Sequence, residues 1–269
     1  MKKYHRALTI AGSDSGGGAG IQADLKTFSA LGCFGMSAIT ALTAQNTHSV
    51  TAIHPAPPEF LKAQLDAVLS DIGTDAVKIG MLHSPEVIGV VADALAEWKC
   101  GNVVLDPVMI SKSGDKLLQD EAVSALKERL LSLATVITPN LPEASVLLGR
   151  EVEKKEEMLA AAKDLSKLGC SAVLLKGGHL TGDESGDLLY SAQEDSYFWF
   201  PEKRIPTENS HGTGCTLSSA ICAGLAKGLD LQKAVEGAKT YITDALAAGS
   251  DYKTGQGHGP VHHFHEFWR

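Results

Sequence analysis

Residues 210–217 (SHGTGCTL) have the composition of an anion-binding turn. Two glycines and a threonine precede an apolar run with helical spacing, so we expect the N–H groups of a helix N-terminus to point in one direction. Such a turn binds phosphate, or stabilises the negative charge on a phosphoryl group during its transfer. The turn is completed by Cys215, where a carboxylate would be the usual general base.

Cys215 admits three interpretations. A single cysteine in a helix is usually a small core residue, as we infer for Cys170 and Cys222. A nucleophilic cysteine would need a positioned histidine base, and His211 is expected to point away from the turn. A cysteine beside a transferring phosphoryl group is the interpretation that the glycines favour. The first turn of a helix favours a thiolate, so we expect the pKa of Cys215 to be lowered.

Charged and amide side chains follow the predicted strands where each strand ends. Because the carboxyl ends of parallel strands meet at one edge of a sheet, these side chains are expected to share a site. Asp106 or Glu143 alone would be a helix cap or a solvated charge, but two carboxylates beside an anion-binding turn suit Mg²⁺. Lys176 is either an edge lysine that reaches solvent or a phosphate-binding cation, since two glycines follow it. The residues at this edge are 12–20, Gln45, Asn46, Gly80, Met81, Asp106, Asn140, Glu143 and Lys176.

Two other motifs are less specific. Residues 16–20 (GGGAG) suggest a nucleotide-binding loop, but the dinucleotide motif needs a glycine where Ile21 stands, and the P-loop triplet Gly-Lys-Ser/Thr is absent from the sequence. They predict either a flexible turn or a backbone that a flat ligand approaches closely. His262, His263 and His265 lack a cysteine or carboxylate at metal-ligand spacing, so a structural or surface role is favoured over a metal site.

The elements that must position these residues alternate along the chain. Short apolar runs predict strands, and helical periodicity between them indicates right-handed βαβ units. We therefore expect an α/β fold in which helices cover both faces of a mostly parallel sheet. Beyond residue 177, the pattern predicts a small antiparallel hairpin at the sheet edge and then two helices, the second capped by Asp230. The predicted strands are 8–11, 36–44, 76–79, 103–105, 135–137, 172–175, 187–191 and 196–200, and the helices before the hairpin are 21–31, 59–69, 85–98, 121–131 and 156–168.

Composition narrows the class of protein. The 269 residues suffice for one large α/β domain, and the absence of a linker-like segment favours a single domain over residues 1–269. A net charge of -8 disfavours a nucleic-acid partner. The five cysteines are odd in number and have no C-x-x-C spacing, which favours a reducing cytoplasm. No apolar run reaches transmembrane length, so we expect no membrane partner.

Taken in order along the chain, these motifs resemble the ribokinase-like kinases, and among them most closely the hydroxymethylpyrimidine/phosphomethylpyrimidine kinases of thiamine synthesis. The resemblance implies a three-layer ribokinase-like fold, ATP and Mg²⁺ as cofactors, and a homodimer. It also implies two successive transfers, first to the alcohol of 4-amino-5-hydroxymethyl-2-methylpyrimidine and then to its monophosphate. The motifs that carry the resemblance are 12–24 (GSDSGGGAGIQAD), 44–47 (AQNT), 78–81 (KIGM), 106–109 (DPVM), 138–144 (TPNLPEA), 176–179 (KGGH), 210–216 and 257–264 (GHGPVHHF).

The same resemblance implies a role for each site residue. Gln45 would pair with the edge of the pyrimidine, and four further positions are placed with the substrate, namely Ala19, Asp24, Met81 and Val108. Gly212, Thr213, Gly214 and Cys215 would form the anion hole. Asp106 and Glu143 would serve the metal, and the ATP phosphates would face Asn140, Lys176, Thr213 and Gly214.

One position departs from many ribokinase-like sugar kinases, which have an aspartate base where Cys215 stands. The second acceptor is a phosphate ester that is largely ionised already, and a fixed carboxylate would repel it whereas a neutral thiol would not. We hypothesise that Cys215 is a poorer base than aspartate in the first transfer but tolerates the anionic acceptor in the second.

Two alternatives remain open at this stage. Pyridoxal kinase has the same fold and acts on a similar flat ring, although pyridoxal lacks the donor–acceptor edge that the Gln45 amide can pair with. A catalytically silent nucleotide sensor is the other alternative, which the retained lysine, carboxylates and anion-binding turn disfavour.

Overall fold

The centre of this computed structural model is one sheet, whose strands are short at its middle and longer at the β1–β2 pair. The structure describes residues 2–109, 120–182 and 185–268. The strands within these ranges are β1 Arg6–Asp14, β2 Phe34–Gln45, β3 Val50–Pro55, β4 Ala76–Ile79, β5 Val103–Leu105, β6 Val136–Ile137, β7 Ala172–Leu175, β8 Asp187–Ser191 and β9 Ser196–Phe200. Their spatial order is β3-β2-β1-β4-β5-β6-β7-β8-β9.

The pairing directions confirm a mostly parallel sheet. Strands β2, β1, β4, β5, β6 and β7 pair in parallel. Strands β8 and β9 form the antiparallel hairpin at the residues that the sequence predicts, and β3 adds a second antiparallel edge on β2. The predicted boundaries of β4, β5 and β7 are also those of the structure.

Helices cover both faces of this sheet. They are α1 Gly20–Ala30, α2 Pro58–Asp71, α3 Pro85–Glu97, α4 Asp120–Arg129, α5 Leu141–Leu148, α6 Met158–Ser166, α7 Thr213–Ala226 and α8 Leu231–Gly249. The helix starts follow from local chemistry: proline is tolerated in the first turn of α3, and the Ser84 hydroxyl accepts the Val87 N–H. Asp230 caps α8 by accepting the Lys233 N–H at 2.9 Å, so that prediction is confirmed.

The core consists of two apolar clusters, one on each face of the sheet. Leu8 and Ile10 of β1 face the cluster that helices α2 to α6 cover. Ala7 of the same strand faces the cluster built by α1, α7 and α8, where Phe28 is fully buried. Because adjacent side chains of a strand point to opposite faces, a strand buried on both sides reads as a continuous apolar run. This arrangement is the expected three-layer α/β fold.

The sequence pattern missed β3. None of its residues is buried, so it has no apolar alternation and nothing in its side chains distinguishes it from a loop. It forms because β1 pairs with only one edge of β2 and leaves the other edge for β3, with Thr43 opposite Ile53.

The parallel strands direct their carboxyl ends to one edge, as predicted. Asn140 and Lys176 meet there in an isolated parallel bridge, beyond the ends of β6 and β7. Within the described ranges, no helix combines the length and the apolar composition that crossing a bilayer would require.

Candidate active site

The turn before α7 has the geometry of an anion-binding site. Gly212 adopts φ +81°, and a Cβ atom there would overlap the carbonyl oxygen of Gly18, so glycine is required at this position. Helix α7 begins directly afterwards with no side-chain cap. The Thr213 N–H donates to the Ser210 carbonyl at 3.4 Å, which leaves the N–H groups of Gly214 and Cys215 for the cavity that both residues line. Thr213 is held in place because its hydroxyl donates to the Ser210 carbonyl at 2.8 Å.

Cys215 lies in the floor of this cavity and accepts a hydrogen bond from the Gly20 N–H. Burial raises the pKa of its thiol to about 11, and the negative charges of Asp24 and Asp106 add to that effect while Lys78 opposes it. The prediction of a lowered pKa is therefore wrong, since desolvation outweighs the helix dipole. The thiol is neutral at physiological pH.

Lys176 joins the anion-binding turn to the predicted carboxylates. Its Nζ lies 2.8 Å from Asp106 Oδ1 and 3.9 Å from Glu143 Oε2, and only 3.3 Å from the ideal Cβ position of Gly214. Burial alone would raise the pKa of Asp106, but the positive charges of Lys176 and Lys78 hold it below its usual range. The residues predicted at this rim therefore lie together, and the interpretation of Lys176 as a solvent-reaching edge lysine is not supported.

Glu143 and Asn140 form a capping box at the start of α5. The Asn140 side chain accepts the Glu143 N–H, and Glu143 Oε2 accepts the Asn140 N–H, each at 2.8 Å. Burial raises the pKa of Glu143 to about 7, with the negative charge of Asp106 adding and Lys176 opposing. The Glu143 carboxyl group therefore caps α5 and also lines the cavity, as Asn140 does.

The residues expected around the pyrimidine line the same cavity, which has a volume of about 860 Å³. Gln45 ends β2 on one side of it, and three apolar positions, Ala19, Met81 and Val108, lie on its walls. Met81 also packs on Gly12, where a Cβ atom would approach its Cε to 2.6 Å. The cavity therefore combines an apolar part beside the Gln45 amide with, farther along the rim, the lysine and carboxylates.

Asp24 is the one predicted substrate-binding residue that does not reach the cavity. It is fully buried, and both of its oxygens lie 2.9 Å from Lys78 Nζ. Thr9 and Ser219 also donate to it, each at 2.6 Å. Asp24 is therefore not a substrate-binding residue. Its carboxylate compensates the charge of Lys78, which is buried beneath the site, since an unpaired buried ammonium would be very costly.

Residues that sequence reasoning missed hold the glycine loop and the turn together. The Asp14 carboxylate accepts N–H bonds from Gly16, Gly18 and Ala19 and lies 3.0 Å from Nε2 of His211. An aspartate in a glycine-rich turn is a known signal for bonding to the backbone ahead of it, and this signal could have identified Asp14. His211 could not have been paired with it, because the sequence spacing carries no information on that contact.

A second missed pair lies near the far end of the cavity. Lys239 Nζ of α8 is 3.0 Å from Asp187 Oδ2, and Asp187 Oδ1 accepts the Gly177 N–H. The pair therefore fixes the backbone that follows Lys176.

One histidine of the histidine-rich tail packs into the protein. His263 is buried, its Nε2 lies 3.0 Å from the Thr216 hydroxyl, and burial lowers its pKa to about 3, so it is neutral. The described residues contain no group of three or more His, Cys, Asp or Glu side chains that could hold a metal ion by themselves. The contact with Thr216 gives His263 a structural role.

Comparison with known proteins agrees with this geometry. The chain matches the phosphomethylpyrimidine kinase family model over residues 14–262. A hydroxymethylpyrimidine/phosphomethylpyrimidine kinase of Rhizobium meliloti is 54% identical over 264 residues, which are 98% of this chain and 98% of the relative.

Solved structures show the same fold. An ADP complex of Bacillus subtilis pyridoxal kinase has a TM-score of 0.89 and 41% identity, covering 97% of this chain and 98% of that one. The phosphomethylpyrimidine kinase of Clostridium difficile 630 has a TM-score of 0.80 and 46% identity, covering 90% and 99%. The match extends over almost the whole chain and includes the elements that build the cavity, so this chain belongs to the phosphomethylpyrimidine kinase family of ribokinase-like kinases.

Proposed function

We propose that the chain uses ATP to phosphorylate 4-amino-5-hydroxymethyl-2-methylpyrimidine and then phosphorylates the monophosphate to the diphosphate, as a step of thiamine biosynthesis. The observation that carries the proposal is the convergence of Gln45, Lys176 and the 212–215 turn on one cavity. The Rhizobium meliloti relative, named for both kinase activities, supports it. We further propose that residues 1–269 act as a single kinase domain.

The acceptor would bind at the β2 end of the cavity. The Gln45 amide offers a donor and an acceptor to an aminopyrimidine edge, and Ala19, Met81 and Val108 offer apolar contacts to the ring. A ring held there presents its substituents toward the 212–215 turn across the same cavity. Positioning of this kind is the larger part of catalysis in phosphoryl transfer, because the transition state is loose.

The transferring phosphoryl group would lie at the turn. Backbone N–H groups of Gly214 and Cys215 and the Lys176 ammonium would stabilise its charge, and Asn140, Thr213 and Gly214 would contact the nucleotide phosphates. Burial opposes the charge on Lys176, but its ion pair with Asp106 outweighs burial and raises its pKa above the usual range, so it stays protonated.

Mg²⁺ fits the donor set. Two buried carboxyl groups, Asp106 and Glu143, lie beside one lysine at the rim, and Mg²⁺ typically takes one or two carboxylates together with waters and phosphate oxygens. When bound, it would supply positive charge to the phosphates. Glu143 must lose its proton to serve as a ligand, so the metal and the proton compete for one oxygen pair.

The neutral thiol of Cys215 suits the second acceptor. With a pKa of about 11, it is already protonated at neutral pH and is not available as a general base, so the first alcohol would lose its proton late in the transfer. The monophosphate needs no base because its oxygen is already charged.

An ATP-consumption assay with three acceptors tests the proposal: the pyrimidine alcohol, its monophosphate and pyridoxal. We expect turnover of the first two, and loss of both in Lys176→Met. Turnover of pyridoxal alone would make the chain a pyridoxal kinase, which is the second candidate because of the likeness to the Bacillus subtilis enzyme.

We also propose that the chain forms a homodimer in a reducing cytoplasm. The β2–β3 edge exposes apolar side chains, with Leu42 51% and Ile53 42% exposed, and all five cysteines are free thiols. Sedimentation equilibrium of Leu42→Glu against the unaltered chain tests the dimer. A monomer in both samples would contradict it.

A further inference from the structure

One ring nitrogen of His211 lies close to two other polar side chains at the β2 end of the cavity. Nε2 is 3.0 Å from Asp14 Oδ2 and 3.3 Å from the side-chain amide of Gln45. Gly18 packs against the ring, at a position where any larger residue would overlap His211 Cδ2. The backbone N–H of His211 donates to the Gly259 carbonyl at 3.0 Å. Neither the family resemblance nor the sequence pattern assigned a role to this histidine.

The charge state of Asp14 determines which ring nitrogen of His211 carries the hydrogen. The carboxylate accepts three backbone N–H bonds, from Gly16, Gly18 and Ala19, at 2.8, 3.0 and 2.8 Å. Burial opposes ionisation, but the bonds from His211, Ala19 and Gly16 outweigh it and hold the pKa of Asp14 below its usual range. An ionised carboxylate only accepts hydrogen bonds, so Nε2 of His211 must carry a hydrogen and donate it to Asp14.

The Gln45 amide must then turn its oxygen toward His211. Its nitrogen would otherwise place N–H groups against the Nε2–H donor, and the two atoms of an amide are assigned from such partners. The contact at the other end of the amide is consistent with this orientation. It lies 3.1 Å from Thr43 Oγ1, whose single hydrogen is donated to the Ser13 carbonyl at 2.8 Å. The Thr43 oxygen is therefore free to accept an N–H from the amide nitrogen.

One network of bonds results, in which the single Nε2 hydrogen of His211 is shared between Asp14 Oδ2 at 3.0 Å and the amide oxygen at 3.3 Å. The amide nitrogen donates to Thr43 and the amide oxygen accepts from His211, so the remaining donor and acceptor of Gln45 face the cavity in a fixed order. An aminopyrimidine pairs with that edge through its amino group and the adjacent ring nitrogen. Reversing the amide would require the ring to turn over, which carries its 5-hydroxymethyl group away from the 212–215 turn.

We propose that His211, held by Asp14, is a specificity-determining residue that fixes the orientation of the Gln45 amide and thereby the way round in which an aminopyrimidine binds. The inference rests on the proposed function, since it concerns recognition of that substrate. Pyridoxal lacks the amino group and adjacent ring nitrogen, so its phosphorylation does not depend on the order of donor and acceptor.

The test compares two substitutions at one position in the full chain. His211→Leu removes the donor, whereas His211→Gln retains an N–H that can reach both Asp14 and Gln45. We expect His211→Leu to raise KM for the pyrimidine alcohol on the order of tenfold, the worth of one oriented hydrogen bond, while kcat changes less. The ratio of pyrimidine to pyridoxal kcat/KM should fall by a similar factor, and His211→Gln should recover most of it.

A second variant acts from the other end of the amide. Thr43→Val is nearly isosteric and removes the acceptor that orients the nitrogen, together with the hydrogen bond to the Ser13 carbonyl, so it should lower the same ratio even if His211→Leu fails to fold. An unchanged ratio in whichever of these variants folds would overturn the inference while leaving the proposed function intact. Failure of the unaltered chain to phosphorylate the pyrimidine would instead refute the function. Calorimetric titration with the pyrimidine alcohol would then decide the inference by binding alone, with unchanged affinity in His211→Leu and Thr43→Val counting against it.

Discussion

Replacing Glu143 by glutamine should stabilise the metal-free protein at high pH and leave it unchanged at low pH. The substitution keeps the capping box, because a glutamine oxygen accepts the Asn140 N–H as the carboxylate does. It removes only the ability to ionise in a site where burial and the nearby Asp106 charge disfavour the anion.

The magnitude follows from the position of the carboxyl pKa. In the folded chain it is raised to about 7 from an ordinary 4.5, which corresponds to about 3 kcal/mol at about 1.4 kcal/mol per pH unit. A raised folded pKa means that the folded state binds the proton more tightly than the unfolded state. Its contribution to stability is therefore complete below pH 4.5 and is lost as pH rises through 7.

Urea unfolding measured at pH 5 and pH 8.5, without nucleotide or metal, provides the assay. The free energy of unfolding of Glu143→Gln should exceed that of the unaltered chain by about 3 kcal/mol at the higher pH, and by much less at the lower. Glu128→Gln is the matched control, since Glu128 is exposed on α4 and its change should stay within about 0.5 kcal/mol at both pH values. An equal difference for Glu143→Gln at both pH values would refute the reasoning.

Three further predictions concern the α7 turn and α8. Cys215→Asp should retain transfer to the pyrimidine alcohol and lower kcat/KM for the monophosphate at least tenfold, because the negative charge of the new carboxylate repels the anionic acceptor. Coupled assays with both acceptors measure this, and a kcat/KM for the monophosphate equal to that of the unaltered chain would contradict it. Gly212→Ala should destabilise the fold by about 1–3 kcal/mol and abolish both transfers, since the new methyl overlaps Gly18 at a positive φ; a thermal melt and assay matching the unaltered chain would count against the turn geometry. Asp230→Ala should cost about 1 kcal/mol through loss of the α8 cap with kcat unchanged, which urea unfolding and the same assay measure; a lowered kcat would show that the cap also affects the site.

Local chemistry made much of the fold predictable. Strands buried on both faces read as apolar runs, so β4, β5 and β7 were found at their observed boundaries, and the glycines around residue 212 identified the anion-binding turn. The rule that parallel strands end at one edge then brought Asp106, Glu143 and Lys176 together.

What could not be predicted depends on contacts between distant segments. Asp24 pairs with Lys78 across 54 positions, and His211 meets Asp14 across 197, so neither partner is visible in a local pattern. The Cys215 pKa went the other way from the prediction because it is set by how deeply the surrounding elements bury the sulfur. Strand β3 was missed because it has no buried side chain to produce a periodic signal.

The cavity is assembled from segments made at opposite times of synthesis. Gly12 and Ala19 line it together with Gly212, Cys215 and His258. The ribosome must therefore translate both segments before a ligand can bind, and a nascent polypeptide stalled at residue 200 presents the glycine loop without its counterpart. A ligand consequently cannot stabilise the first strands of the sheet while they fold on the ribosome.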